Sequence, residues 1–144
     1  MIEKNVSLKP YNTFGLSAQA KLMARVVDVP SLQSVLSDAS LVNEDRFILG
    51  GGSNILLTKD VDALVIKNEI DGIALVEETS DSFFVKSGAG VVWHNLVLHC
   101  IEKGYAGIEN LSLIPGNVGA APMQNIGAYG VELKDVFSSL EAVD

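Results

Sequence analysis

The stretch ILGGGSNILL, residues 48–57, places three consecutive glycines behind an apolar run and ahead of Ser53 and Asn54. A short strand, RFIL at 46–49, runs directly into Gly50. Gly50 and Gly52 fill the first two positions of a G-x-G-x-x-G dinucleotide fingerprint, but Ile55 stands at the third. The continuation NILLTKD reads as extended, whereas a Rossmann unit needs a helix there to meet the pyrophosphate. No G-K-[ST] follows, so a P-loop fails as well. The doubly wound nucleotide folds are thereby set aside.

The physical content of the glycines survives that rejection. A second tract, PGNVGAAPMQNIGAYG, covers 115–130, and nine of the thirteen glycines fall at 50–52 or between 104 and 130. Neither 47–58 nor 104–130 contains a Lys or Arg. Glycine admits φ > 0 and lets backbone approach a ligand closely. Successive N–H groups in such turns form a concave anion site without a cation. Ser53 and Asn54 are suited to add hydrogen bonds. On residue pattern two readings stay open, tight turns or a backbone cradle for an anion such as a diphosphate.

Working outward, AKLMARVVDV (20–29) predicts a strand rich in β-branched residues. PSLQSVLSDAS (30–40) predicts a helix with Pro30 at or near its first position and Leu32, Val35, Leu36 and Ala39 on one face. ALVIKN is extended, and GIALVEET with DSFFVKSG form a hairpin whose end carries the solvated carboxylates Glu77, Glu78 and Asp81. VVWHNLVLHCIEKG (91–104) is the clearest helix, with Val92, Leu96, His99 or Cys100 and Lys103 at helical spacing and Gly104 as its stop. From 105 to 130 the chain is irregular. VFSSLEAVD (136–144) reads as a last strand. The chain stops directly after it, which fits a natural end and, at least as well, one domain of a longer enzyme.

With 48% apolar and 19% charged residues, the 144-residue chain has an ordinary globular composition. No apolar run approaches the roughly 20 residues of a membrane-spanning helix, and MIEKNVSLKP lacks a signal core. The single Cys100 forms no internal disulfide, which points to a reducing cytoplasm. A net charge of −8 argues against nucleic acid or an anionic membrane as partner. His94 and His99 lie five apart on the helix, a spacing that does not put both on one face for a metal. Trp93 reads as a packing residue and Cys100 as a small buried one. No nucleophile–His–acid arrangement can be argued from residue order.

Four segments together resemble a known family. LKPYNTFGL (8–16), ILGGGSNIL (48–56), GAGVVWHNLV (88–97) and GIENLSLIPGNVGAAPMQNIGAYGVEL (107–133) are similar, in order, to motifs of the UDP-N-acetylenolpyruvoylglucosamine reductase family, bacterial flavoenzymes of peptidoglycan precursor synthesis. The 107–133 tract is the specific one. The resemblance implies an α+β fold, the FAD-binding domain of the vanillyl-alcohol oxidase/PCMH type, with two small α+β subdomains and the flavin between them. Residues 1–70 would form the first subdomain and 71–144 part of the second, with the substrate domain absent.

By matching motifs, the resemblance assigns non-covalent FAD to two loops. The first comprises Leu49, Gly50, Gly51, Gly52, Ser53, Asn54 and Ile55. The second comprises Ile114, Pro115, Gly116, Gly119, Ala120, Ala121, Ile126, Gly127, Ala128, Tyr129 and Gly130. Asn12 and Thr13 are implied neighbours. Some members carry hydroxyl residues where this chain has Ala120 and Ala121, so these positions would offer main-chain groups alone. In the family NADPH reduces FAD, and hydride passes to the enolpyruvyl group of a nucleotide sugar, giving UDP-N-acetylmuramate. The family's catalytic Arg, in G-Y-R-[DE]-S, and its later Ser and Glu have no match here, so no catalytic residue is assigned and the chain alone is expected to be inactive. A non-enzymatic module, or another flavin oxidoreductase of the same superfamily, is the alternative.

Overall fold

A computed structural model describes residues 1–143. The chain divides into two compact units, Met1–Ile70 and the residues from Asp71 onward. The first contains β1 (Ile2–Ser7), β2 (Gln19–Val26), α1 (Val29–Leu36), β3 (Arg46–Leu49) and β4 (Val61–Asn68). Its sheet has the order β1-β2-β4-β3. β1 runs antiparallel to β2, whereas β2 and β3 both run parallel to β4.

Central position explains why ALVI, residues 63–66, is an unbroken apolar run. Ala63, Leu64, Val65 and Ile66 are all buried, because β4 is covered on both faces, as parallel strands are. Val65 packs with Leu8, Ala20, Met23 and Leu49 on one face. Leu64 and Ile66 pack with Ala24, Val26 and Leu41 on the other, where Leu32, Val35 and Leu36 of α1 join them. Truncating a side chain such as Ile66 to alanine removes roughly 2–5 kcal/mol.

Local polar chemistry set the boundaries that apolar patterning blurred. The strand read over 20–29 ends at Val26 because Asp28 becomes a helix cap, its carboxylate accepting from Ser31 N at 2.7 Å. The Ser31 hydroxyl returns the contact by accepting from Asp28 N at 3.1 Å, closing a capping box. Pro30 follows in the first turn, where its missing N–H has no cost. The helix read to residue 40 stops at Leu36, and Asp38 starts a separate 3-10 turn at Ala39–Leu41 by accepting from Ser40 N. NILLT, read as extended, forms neither helix nor ladder, with Ile55 and Leu57 packed on the core and Leu56 exposed. β1 was not anticipated, since its charged edge-strand pattern lacks an apolar run.

The second unit holds the hairpin β5 (Ile73–Glu78) and β6 (Phe83–Ser87), then α2 (Trp93–Lys103), α3 (Ala121–Gln124), β7 (Gly127–Ala128) and β8 (Val131–Glu132). β5 and β6 are antiparallel with a bulge between Leu75 and Glu77. α2 ends where expected: Gly104 has φ +74, and Tyr105 N donates to Cys100 O at 2.8 Å. Its buried face is Trp93, Leu96, Val97 and Cys100. Val92 and Lys103, assigned to that stripe by spacing, are exposed, because Val92 is the cap residue outside the helix. The core around this face adds Val91, Leu111, Ala121 and Leu133. Trp93 packs there as anticipated, its Nε1 donating to Leu111 O at 2.8 Å.

One expected element is not formed. VFSSLEAVD is strand-like in sequence, yet 137–143 make no ladder, and Phe137, Leu140 and Val143 stay exposed. A strand needs a neighbouring backbone to pair with, and none of the described strands pairs with 137–143. Residue 144 of that segment lies outside the described residues.

Candidate functional site

The first glycine loop is hung between a buried anchor and a partly buried one. Leu49, 2% exposed, ends β3 in the core, and Ile55 packs back onto the same cluster. Between them Gly50–Asn54 form bends at the carboxyl end of a parallel strand, the edge where open parallel sheets hold ligands. Gly51 is exposed and Gly52 is buried.

These two glycines therefore have different work. Gly52 has φ +67, and a Cβ there would run into the Tyr11 carbonyl. Its own carbonyl accepts from Thr13 N at 3.1 Å and lies 3.5 Å from the Thr13 hydroxyl. Asn12 is buried, and its amide is fully engaged. Nδ2 donates to Leu8 O at 2.8 Å and Leu16 O at 3.1 Å, while Oδ1 accepts from Leu16 N at 2.9 Å. Asn12 and Thr13 thus support the loop from beneath.

Sequence reasoning missed Lys67. It stands opposite Leu49 across the β3–β4 pair, and its Nζ donates to Gly50 O at 2.6 Å. Burial pushes the ammonium below the ordinary lysine value, and the nearby Arg25 guanidinium adds to this; the Glu69 carboxylate opposes both. Arg25 is itself tied to Glu69 by Nε at 2.8 Å and Nη2 at 3.2 Å. The available signal was a charge inside the strand run ALVIKN, seventeen residues from the glycine it touches. The loop is free of cations in sequence but not in space.

The second tract is built differently. Residues 116–119 zip onto the loop 89–93. Trp93 N donates to Gly116 O at 2.9 Å, Val118 N to Val91 O at 2.9 Å, and Gly119 N to Ala89 O at 3.0 Å. The buried Asn117 locks this pairing, Nδ2 donating to Gly90 O at 2.8 Å. A Cβ on Gly119 would stand 2.6 Å from Ala89 Cβ. Ala120 N donates to Asn117 O at 3.0 Å. The N–H groups of Val118, Gly119 and Ala120 are therefore already engaged within the protein, which narrows the amide cradle expected there. Ala121 is 3% exposed and faces the core.

Other members of the tract stay near the surface. Ile114 and Ile126 pack partly on the core, and Pro115 is exposed. Gly127 and Ala128 pair with Val131 and Glu132, so Tyr129 and Gly130 form the tip of a two-residue hairpin with φ +52 and +80. Positive φ at both central residues is the geometry of a type I′ turn. It holds Tyr129 88% exposed. At the entrance to the tract, His94 Nδ1 accepts from Leu113 N at 3.3 Å and lies 3.1 Å from the Ser112 hydroxyl.

A diphosphate fits the first loop on these observations: an exposed glycine without side chain, open bends, and a lysine fixed below. The chain belongs to the FAD binding domain family, whose model matches residues 20–144, and the fold is α+β. Within that class it is similar to UDP-N-acetylenolpyruvoylglucosamine reductase of Flavobacterium johnsoniae, at 52% identity over 143 residues. The same-named protein of Pseudomonas aeruginosa is 51% identical over 143 residues. Each comparison covers 99% of this chain and 42% of the relative, so the chain spans less than half the length of these curated relatives. The crystal structure of UDP-N-acetylenolpyruvylglucosamine reductase from Thermus caldophilus has a TM-score of 0.67 at 24% identity, covering 94% of this chain and 46% of that one. That likeness speaks for the fold alone.

Among the described residues no helix is long and apolar enough to cross a membrane.

Proposed function

We propose that this chain is the FAD-binding part of a cytoplasmic, NADPH-dependent reductase that converts UDP-N-acetylglucosamine enolpyruvate to UDP-N-acetylmuramate. The single observation carrying the reading is identity of about half over nearly the whole chain to reductases of that name. Non-covalent FAD, when bound, would supply the redox chemistry, taking hydride from NADPH and giving it to the enolpyruvyl double bond. The chain's own residues bind and orient. Gly51 lets backbone approach the diphosphate, Leu49 and Ile55 anchor that loop in the core, and Asn12 and Gly52 hold it on the turn below. In the second tract, the exposed hairpin tip of Tyr129 and Gly130 is the part open to a ligand. No side chain of these 144 residues is assigned the proton transfer, so the chain alone is expected to bind FAD and to turn over no substrate.

Titration of the purified chain with FAD tests this directly, read as quenching of flavin fluorescence. Saturable uptake is expected. Gly51→Val should abolish it with the fold intact, since the side chain would stand where the diphosphate must approach. Unchanged affinity in that variant would reduce the loop to a turn.

A further inference from the structure

The contact between Lys67 and Gly50 has a consequence for the next peptide group. Lys67 lies opposite Leu49, so its side chain stands on the sheet face shared by Leu49 and Val65. From there it reaches one residue past the strand end and holds the Gly50 carbonyl at 2.6 Å. No peptide bond among the described residues is cis, and in a trans peptide the C=O and N–H point in opposite directions. With the Gly50 oxygen turned to the ammonium, the Gly51 N–H is turned away from it. Gly51 is exposed, and among the described residues its N–H makes no backbone hydrogen bond. A cation on the oxygen also polarises the peptide, making its N–H a stronger donor.

We propose that Lys67 is a positioning residue for phosphate binding: by clamping the Gly50 carbonyl it aims and polarises the Gly51 N–H toward a diphosphate. The proposal rests on the FAD reading above. It differs from a direct ion pair, in which the ammonium itself would reach the phosphate. The half-buried position of Lys67 and its short bond to a carbonyl favour the clamp.

Two uncharged variants test it, Lys67→Met and Lys67→Gln, the second keeping a neutral donor on a shorter arm; either one that folds suffices. FAD affinity is measured by fluorescence quenching, and the order parameter of the Gly51 N–H by NMR on the ligand-free chain. Loss of the clamp should weaken FAD binding about tenfold or more, the ratio matching one hydrogen bond to a charged group. The Gly51 order parameter should fall from about 0.85 to below about 0.6. Unchanged FAD affinity overturns the proposal and leaves the FAD reading standing. Weakened affinity with a Gly51 amide as rigid as before also overturns it, because Lys67 is then a direct charge. A wild-type chain that takes up no FAD removes the FAD reading and this inference together.

Discussion

Replacing Gly52 with alanine separates two penalties that usually come together. The first is conformational: φ is +67 at Gly52, and an L-residue in the left-handed region costs about 1–2 kcal/mol. The second is steric. The new methyl would run into the Tyr11 carbonyl oxygen and lie 2.9 Å from Tyr11 C and 3.0 Å from Asn12 Cα. These are backbone atoms, so relief requires the loop to lift from the Tyr11–Asn12 turn. Lifting it breaks the bond from Thr13 N to Gly52 O, worth about 1 kcal/mol. Together they predict a loss of about 2–3 kcal/mol. Gly15 provides the control: its φ is +62 and nothing stands within 4 Å of an added Cβ. Gly15→Ala should therefore cost the conformational part alone, about 1–2 kcal/mol. Urea unfolding of the three proteins reads both numbers, and the midpoint shifts can be compared if the slopes agree. Equal losses in the two variants would refute the reasoning, since the close approach to Tyr11 would then contribute nothing.

Asn12→Ala removes a buried amide with three partners at Leu8 and Leu16 and should destabilise by about 3 kcal/mol, checked by the same unfolding curves. Trp93→Phe leaves the Leu111 carbonyl without its indole donor in the second unit's core; a loss of about 1–3 kcal/mol is expected, read by thermal unfolding. Gly119→Ala would press a methyl to 2.6 Å from Ala89 Cβ, and overpacking of this kind costs about 1–3 kcal/mol, again seen as a lower denaturant midpoint. Asp28 has its carboxyl held below the usual carboxylate value by the Ser31 hydroxyl and N–H. Its folded pKa is the lower one, so its stabilisation is present above the ordinary aspartate range and lost as pH falls through the folded value. The gap in stability between wild type and Asp28→Ala should therefore be open at pH 7 and narrow in acid, and a gap independent of pH would remove the cap.

Local chemistry alone made several elements legible. β4 follows from a run of apolar residues too continuous for a one-sided strand. α2 follows from its spacing and from Gly104, and the β5–β6 hairpin from two extended segments around polar residues. Ile55 breaks the Rossmann fingerprint, and no helix follows the glycines over 55–58. Features of this kind depend on neighbours within a few residues, where φ preference, side-chain period and capping act directly. The segment 136–143 shows the limit, since strand-like residues form no strand without a paired backbone, and nothing local supplies one.

Which glycine is packed against the chain and which is left facing solvent was decided by tertiary structure. Gly51 and Gly52 are adjacent and chemically identical, yet one faces solvent and the other lies against Tyr11. Lys67 lies seventeen residues from Gly50 and touches its carbonyl only because parallel register sets it opposite Leu49. The amides of Val118, Gly119 and Ala120 looked open in sequence and are taken by the chain itself. Composition and spacing thus left two readings of the glycines open, tight turns or a backbone cradle for an anion. Only the folding of distant segments onto one another decided which N–H groups stay unpaired and where a charge stands, because hydrogen bonds and Coulomb contacts depend on distance in space and not on distance along the chain.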